Sequence, residues 1–182
     1  MKKAIVHVPD KVLTTPAKPV TSFDGRLTKL VGQMKTTLLS TRNPKGVGLA
    51  AVQIGEPWRV FITKPWDKSE IRVFVNPEIV SRSKKETDGV PERDNRFEGC
   101  LSIPKIWGVV HRARMVKLRF QDETGKTHEE SFTGFLATII QHETDHTNGI
   151  LYTQRVLEQK EKLYQSTKDK DDKEVLEEIP LT

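Results

Sequence analysis

Residues 133–149 constrain the fold of this chain more than any other segment. Their apolar side chains recur with the period of about 3.6 residues that is typical of a helix with one buried face. Thr133 is suited to cap the start of such a helix, and Asn148-Gly149 is suited to end it. The buried face consists of Phe135, Leu136, Ile139, Ile140, His142 and His146. We therefore predict a central helix that carries two histidines into the interior.

Short β-rich runs fill the region between residues 58 and 133. Turn residues separate these runs, and residues 123–126 predict a hairpin turn from which the chain returns through residues 129–132. The earlier runs are residues 59–63, 71–75, 107–111 and 115–121. Residues 83–97 are strongly charged, and we predict a loop there. Strands bracketed by helices, without regular strand–helix alternation, indicate the α+β class.

The ends of the chain complete the expected architecture. We predict a short strand at residues 5–8 and, after three prolines, an N-terminal helix with Thr21 or Ser22 as its cap. The apolar positions of that helix are Leu27, Leu30, Val31, Met34 and Leu38. Short antiparallel or mixed sheets are expected to pack around the central helix. Residues 1–155 are predicted to form a single domain, and residues 156–182 a charged tail that is helical or frayed.

Composition limits the class of protein. Of the 182 residues, 30% are charged and 35% hydrophobic, and no run approaches the roughly 20 apolar residues of a membrane helix. The apolar start at residues 4–8 is too short for a signal peptide. The formal net charge is +5, but acids and bases are interleaved, so no direct binding to DNA is expected. A single cysteine fits a reducing cytoplasm, which is the expected location.

The central helix carries a pattern that is typical of a catalytic metal site. Residues four apart on a helix lie one above the other, so His142 and His146 present imidazole nitrogens to one ion. Glu143 lies beside that ion and suits a general base better than a ligand. Catalytic zinc-type sites use three protein ligands and leave one position open. One further ligand must therefore come from elsewhere in the chain.

Two hypotheses remain open for that ligand. Cys100 follows Gly99, which allows close approach of the backbone, and its thiolate could bind the ion. Alternatively, Glu158 or Glu161 would complete a zinc peptidase that cuts internal peptide bonds. A separate alternative is a protein without catalytic activity, in which the ion is structural. Such an ion normally has four protein ligands.

Three ordered segments resemble the signature motifs of the peptide deformylase family. They are Gly-Val-Gly-Leu-Ala-Ala-Val-Gln at residues 46–53, Glu-Gly-Cys-Leu-Ser at residues 98–102 and Gln-His-Glu-Thr-Asp-His at residues 141–146. The resemblance extends over about residues 4–155. It implies a hydrolase that removes the formyl group from the N-terminal formyl-methionine of nascent polypeptides and releases formate. Val52 and Thr147 depart from the residues that are common in the family.

The resemblance also implies a role for each motif residue. The implied metal ligands are Cys100, His142 and His146. Glu143 would act as the general base on the water that the metal activates. The Gln53 side-chain amide and the Leu101 backbone N–H would help to hold the oxyanion of the transition state. The implied ion is Fe²⁺, with Zn²⁺, Ni²⁺ or Co²⁺ able to replace it.

Substrate binding is predicted to involve residues near those ligands. Gly48 is expected on a strand edge that pairs with an extended peptide, and Gly99 beside the same surface. Val47, Leu101 and Ile139 are candidates for an apolar pocket that takes the methionine side chain. A protein that only binds formylated peptides would share these features but would give Glu143 no task. In this family C-terminal helices also dock on ribosomes, although the charge pattern of residues 156–182 itself favours a solvated helix.

Overall fold

A computed structural model describes residues 2–90, 92 and 95–180 of the chain, and it confirms the α+β class. The helices are α1 (Gly25–Ser40), α2 (Gly134–Thr147) and α3 (Tyr152–Glu158). The strands are β1 (Gly48–Ala50), β2 (Val60–Thr63), β3 (Arg72–Arg82), β4 (Glu86–Asp88), β5 (Phe97–Cys100), β6 (Ile103–Val109), β7 (His111–Ala113), β8 (Met115–Gln121), β9 (Thr127–Thr133), β10 (Leu163–Lys168) and β11 (Glu174–Glu178). Single 3₁₀ turns lie at Lys11–Leu13 and Ala51–Ile54.

The strands form two larger sheets and one small pair. One sheet has the order β1-β2-β3-β8-β9, the other has the order β11-β10-β6-β5, and β4 pairs with β7. Each of these strand pairs is antiparallel. The predicted hairpin between β8 and β9 is confirmed, since Met115 lies opposite Thr133 and Gln121 opposite Thr127. Strands β1 and β5 are both edge strands, and one cavity lies between them.

Helix α2 is the central element that the sequence predicts. It contacts strands β1, β2, β3, β7, β8 and β9, and nearly all of its residues are buried. Ile140 is 0% exposed and packs in one cluster with Phe61 and Phe74. Burying an apolar side chain of this size stabilises the fold by about 1.5–3 kcal/mol. Thr133 is the N-cap residue, and Gly149 follows the C-cap with φ of +74°.

Helix α1 is confirmed, but its cap differs from the prediction. The helix starts at Gly25, and the side chain of Asp24 accepts a hydrogen bond of 2.8 Å from the Arg26 backbone N–H. A carboxylate is a strong N-cap because it also complements the positive end of the helix dipole. Leu30, Met34 and the other apolar positions pack against β1 and β2. The prediction of Thr21 or Ser22 as the cap is therefore wrong.

Two local predictions near the site are also wrong. Residues 5–8 form no strand, because their N–H groups bond singly to separate segments: Val6 N donates to Gln53 O at 2.8 Å and Val8 N to Ser102 O at 3.2 Å. Residues 83–97 are not a loop throughout, since β4 and the start of β5 lie within them. β4 is polar yet ordered as a strand, because β7 supplies its backbone partners.

Beyond α3, the described part of the tail forms strands and no helix. Strand β10 pairs with β6, and β11 returns antiparallel to β10, so the tail widens the second sheet. The edge of β6 supplies backbone partners for residues 163–165, and Leu163 and Ser166 are buried. The domain boundary at residue 155 stays a prediction. Within the described part of the chain, no helix is long and apolar enough to cross a membrane.

Candidate metal and catalytic site

Three side chains that could hold one metal ion meet beside the edge strands β1 and β5. Helix α2 places His142 and His146 on one face, and the last residue of β5 is Cys100. One ligand atom from each lies within 4.8 Å of the other two, and Cys100 Sγ is 3.2 Å from His146 Nε2. The structure thus brings together the two histidines and the cysteine that the sequence singles out.

The chemistry of this set fits a divalent ion with an open coordination position. A thiolate and two imidazoles are three ligands of the kind that such sites use. Burial lowers the pKa of His146, which favours the neutral ring that binds metals. Among the described residues nothing hydrogen-bonds the buried Nδ1 of His146. Cys100 accepts hydrogen bonds of 3.4 Å from the Ser102 N–H and from Gln53 Nε2.

A buried carboxylate orients the first histidine. Glu98 Oε1 lies 2.6 Å from His142 Nδ1, and the ionised carboxylate can only accept, so Nδ1 carries the proton and Nε2 is left for a ligand. Burial alone would raise the pKa of Glu98, but the charge of Arg112 and the hydrogen bonds from His142 and Arg112 outweigh it and lower the pKa to about 2. The carboxylate therefore stays charged over the whole neutral range.

Arg112 connects this carboxylate to helix α2. Its Nη2 and Nε donate to Glu98 at 2.6 and 3.1 Å, and its Nη1 donates to Asp145 Oδ2 at 2.6 Å. Arg155 of α3 adds a hydrogen bond of 2.9 Å to Asp145 Oδ1. Burial opposes the charge of Arg112, but Glu98 and Asp145 raise its pKa above the ordinary value. This network is not visible in the sequence, because no regular spacing connects β7 with residues 98 and 145.

Glu143 is poised differently from the other carboxylates. It is 4% exposed, and among the described residues its Oε2 has no hydrogen-bond partner. Burial raises its pKa to about 7. Such a carboxylate can take up and release a proton near neutral pH, which is what a general base requires. Its neighbour in β1 is Gly48, where a Cβ atom would lie 2.9 Å from Glu143 Cδ.

Gln53 is fixed by the 3₁₀ turn that follows β1. It is 1% exposed, and its Oε1 accepts a hydrogen bond of 2.8 Å from the Ala50 N–H. That bond determines which end of the amide is nitrogen. Nε2 therefore points to the cysteine and donates to Ser102 Oγ at 3.2 Å. The side chain is held with its donor group beside the ligand cluster.

These groups share one cavity of about 270 Å³ between the edge strands β1 and β5. The predicted site residues that line it are Val47, Gly48, Gln53, Gly99, Cys100, Leu101, Ile139, His142 and Glu143. His146 lies behind them, 1% exposed. The cavity is also lined by residues that the sequence analysis did not single out, among them Val90, Phe97, Trp107 and Thr138. Their only signal was an apolar or small side chain, which is equally common in ordinary core.

The alternative third ligands have other partners. Glu158 Oε2 accepts a hydrogen bond of 2.9 Å from Arg155 Nη1, and Glu161 Oε1 lies 3.1 Å from His111 Nε2. Neither belongs to the group that could hold the ion. The two departures from the common family pattern are packed inside the core: Val52 and Thr147 are both 0% exposed, and the Thr147 hydroxyl donates to Thr144 O at 2.8 Å.

Comparisons with known proteins agree with the resemblance of the motifs. Residues 2–162 match the family described as polypeptide deformylase. A peptide deformylase from Chromobacterium violaceum is 41% identical over 158 residues, covering 86% of this chain and 88% of that protein. Peptide deformylase 1 from Bacillus subtilis is 41% identical over 156 residues, covering 86% and 90%. The Met-Ala-Ser-bound crystal structure of class I type b peptide deformylase from Acinetobacter baumannii has a TM-score of 0.75 at 36% identity, covering 85% of this chain and 98% of that one.

Proposed function

Because this chain belongs to the polypeptide deformylase family of hydrolases, we propose that it cleaves the formyl group from N-terminal formyl-methionine of nascent polypeptides. The products are formate and a peptide with a free amino terminus. The observation that carries the proposal is that the Cys100, His142 and His146 cluster lies at the cavity that Glu143 also lines, and that Glu143 Oε2 has no hydrogen-bond partner among the described residues. Formate release from formyl-Met-Ala-Ser tests it.

Cys100, His142 and His146 would hold one divalent ion. When bound, such an ion lowers the pKa of water and polarises a carbonyl group. The Glu98 carboxylate supports His142 by accepting from Nδ1, so that Nε2 stays directed at the ion. The tight hydrogen bonds from Arg112 keep Glu98 charged and in place.

Glu143 would carry the proton through the reaction. Its carboxylate takes a proton from the attacking water and later gives it to the departing nitrogen, so that the amine leaves neutral. The buried position keeps competing partners away from Oε2. Its raised pKa suits both halves of this transfer, since a group that titrates near the working pH both accepts and donates readily.

Gln53 and Leu101 would stabilise the oxyanion that forms on the formyl oxygen. The Gln53 amide is pre-oriented by its bond to the Ala50 N–H, and this fixed geometry costs no reorganisation during the reaction. Leu101 follows Cys100 directly and lines the same cavity, which supports the proposal that its backbone N–H is the second donor. Both assignments agree with the roles that the motif resemblance implies.

The substrate peptide would lie along the β1 edge. Gly48 lies on the free edge of the first sheet, where an added strand would find backbone partners, and Gly99 of β5 lines the same cavity. Val47, Leu101 and Ile139 would form the apolar surface for the methionine side chain. Backbone pairing tolerates any sequence, so the first residue would supply most of the selectivity.

Fe²⁺ is the proposed resident ion, with Zn²⁺, Ni²⁺ and Co²⁺ as substitutes. A thiolate ligand suits iron as well as zinc, and a thiolate beside Fe²⁺ is sensitive to oxidation. Metal analysis of anaerobically purified protein tests this. If the resident ion is Fe²⁺, activity should fall in air and a reductant should protect it. Activity that is indifferent to oxygen would contradict iron.

We place the reaction in the cytoplasm, where nascent chains arise. Contact with the ribosome stays a prediction, and the helical tail on which it was based is replaced by β10 and β11.

A further inference from the structure

His111 in β7 lies between two carboxylates that belong to different elements. Its Nδ1 is 2.7 Å from Asp88 Oδ1, and its Nε2 is 3.1 Å from Glu161 Oε1. Asp88 is the last residue of β4 and lies directly opposite His111 in the strand pair. Glu161 lies between α3 and β10. A neutral imidazole has one N–H and can donate to only one of these carboxylates, so the geometry calls for the protonated ring.

The backbone around His111 is fixed independently of the ring. Its N–H donates to Gln159 Oε1 at 2.8 Å, and its carbonyl accepts from Gln159 Nε2 at 3.0 Å. The His111 backbone is therefore anchored to the end of α3, and its ring adds a side-chain contact to Asp88 beside the backbone pairing of β4 with β7. Helix α3 in turn packs against β5 and β6 of the second sheet, and Cys100 is the last residue of β5.

Asp88 leads directly into one side of the cavity. We call Gly89, Val90, Asn95 and Phe97 the cavity wall, since all four line the cavity. Val90 and Asn95 exchange backbone hydrogen bonds, with N–O distances of 2.6 and 3.3 Å. A Cβ atom on Gly89 would lie 2.6 Å from the Arg96 carbonyl carbon, so the wall is closely packed around this glycine. A shift of Asp88 would therefore move the wall with it.

We propose that His111 is a positioning residue: its protonated ring joins Asp88 to Glu161 and thereby holds the cavity wall in place on that side of the proposed substrate cavity. The proposal rests on the proposed function for its kinetic part only. The charged groups that face the ring are Asp88 from β4 and Glu161 from the segment after α3. Arg96 Nη2 donates to the other oxygen of Asp88, Oδ2, at 3.2 Å. The next residue on β7, Arg112, points into the buried network with Glu98 instead.

The direction of the pH effect follows from these partners. The hydrogen bond to Asp88, with a smaller contribution from Glu161, raises the pKa of His111 above its ordinary value of 6.5. A group whose pKa is raised in the folded state contributes fully below its unfolded pKa and loses that contribution as the pH rises through the folded pKa. We therefore expect the wall to be held at pH 6 and released in mildly alkaline solution.

The kinetic experiment compares wild type with His111→Gln between pH 6 and pH 9. Glutamine keeps hydrogen-bonding groups but does not titrate. The KM for formyl-Met-Ala-Ser should rise with pH in the wild type by roughly two- to five-fold beyond any rise in the variant, as expected for a partly exposed ion pair. The kcat profiles should remain parallel. His128→Gln is the matched control, because His128 pairs with Asp122 at 2.7 Å beside the β8–β9 turn, away from the cavity lining.

A second measurement does not depend on turnover. Amide hydrogen exchange at Val90 and Asn95 should be slower in the wild type than in His111→Gln at pH 6, and the two proteins should converge at alkaline pH after correction for intrinsic rates. Parallel KM profiles together with equal protection at pH 6 would overturn the proposal. If the wild type released no formate at any pH, the proposed function would fail, and the exchange comparison alone would decide the role of His111.

Discussion

The carboxylate of Glu143 lies directly against the backbone of Gly48. A Cβ atom at residue 48 would come within 2.9 Å of both Glu143 Cδ and Ile139 Cγ2, and closer still to Glu143 Oε1. The same residue belongs to the edge strand β1, along which we place the substrate peptide. The absence of a side chain at residue 48 thus leaves room for the carboxylate of the proposed general base.

Gly48→Ala is therefore expected to damage catalysis more than stability or metal binding. The added methyl group must displace the Glu143 carboxylate, and a displacement of about 1 Å of a reacting group costs roughly a hundredfold in rate. We expect kcat to fall by that factor while the metal content, measured on the same protein, stays at the wild-type level. Unchanged kcat would show that the carboxylate is not held at this position.

Gly32→Ala is the matched control for that substitution. Gly32 lies within α1, and an added Cβ meets nothing within 4 Å. Replacing glycine by alanine inside a helix stabilises by about 0.5–1 kcal/mol. Urea unfolding should therefore show a small gain in the free energy of unfolding, with kcat unaltered.

Glu143→Gln separates the general base from the metal ligands. Glutamine has nearly the same shape, but it cannot take up the proton that the buried carboxylate accepts. We expect kcat to fall by roughly 10²- to 10⁴-fold, with metal content preserved. Full activity would contradict the role of Glu143, and loss of metal would indicate that this carboxylate is a ligand.

Arg112 is predicted to matter for both stability and metal affinity. Arg112→Met removes the guanidinium that the buried carboxylates of Glu98 and Asp145 share, and removing one partner of a buried ion pair costs about 3–5 kcal/mol. Because Glu98 orients His142, metal affinity should also fall by about 10- to 100-fold. Arg112→Lys retains the charge and should restore part of both. Equal affinity in Arg112→Met, measured by competition with a chelator, would contradict this coupling.

The Glu98 carboxylate also predicts how the metal-free protein responds to acid. Its pKa is lowered from 4.5 to about 2 in the fold, so its contribution to stability is present above pH 4.5 and is lost as the pH falls toward 2. The free energy of unfolding of wild type should decrease across this window. Glu98→Gln should be less stable at pH 6 and should show a weaker decrease. Parallel pH dependences in the two proteins would assign the acid sensitivity to other groups.

The two long helices could be predicted from the sequence, because each has a regular spacing of apolar residues. The helical spacing of apolar residues identified α1 and α2, and Cys100, His142 and His146 meet as the motifs imply. Spacing could not favour Cys100 over Glu158 or Glu161, because all three are distant from α2 in the sequence or lie beyond its end, and only the fold determines which of them comes near the histidines.

Pairing between distant segments was not predictable in the same way. The tail carries many charged residues that favour a solvated helix. Part of it instead forms strand β10, because it pairs with the free edge of β6. Strand β4 is polar and became a strand only because β7 lies beside it. Arg112 is an unremarkable basic residue in the sequence, and its importance arises from the buried acids that surround it.

Formate release from formyl-Met-Ala-Ser by anaerobically purified, iron-loaded protein tests the central claim most directly. Unformylated Met-Ala-Ser and the Cys100→Ala protein are the controls. The account predicts one formate and one free amino terminus for each peptide consumed, none of either from the unformylated peptide, and loss of metal and of turnover in Cys100→Ala. No formate from protein with its metal confirmed bound, or cleavage of an internal peptide bond in its place, would contradict it.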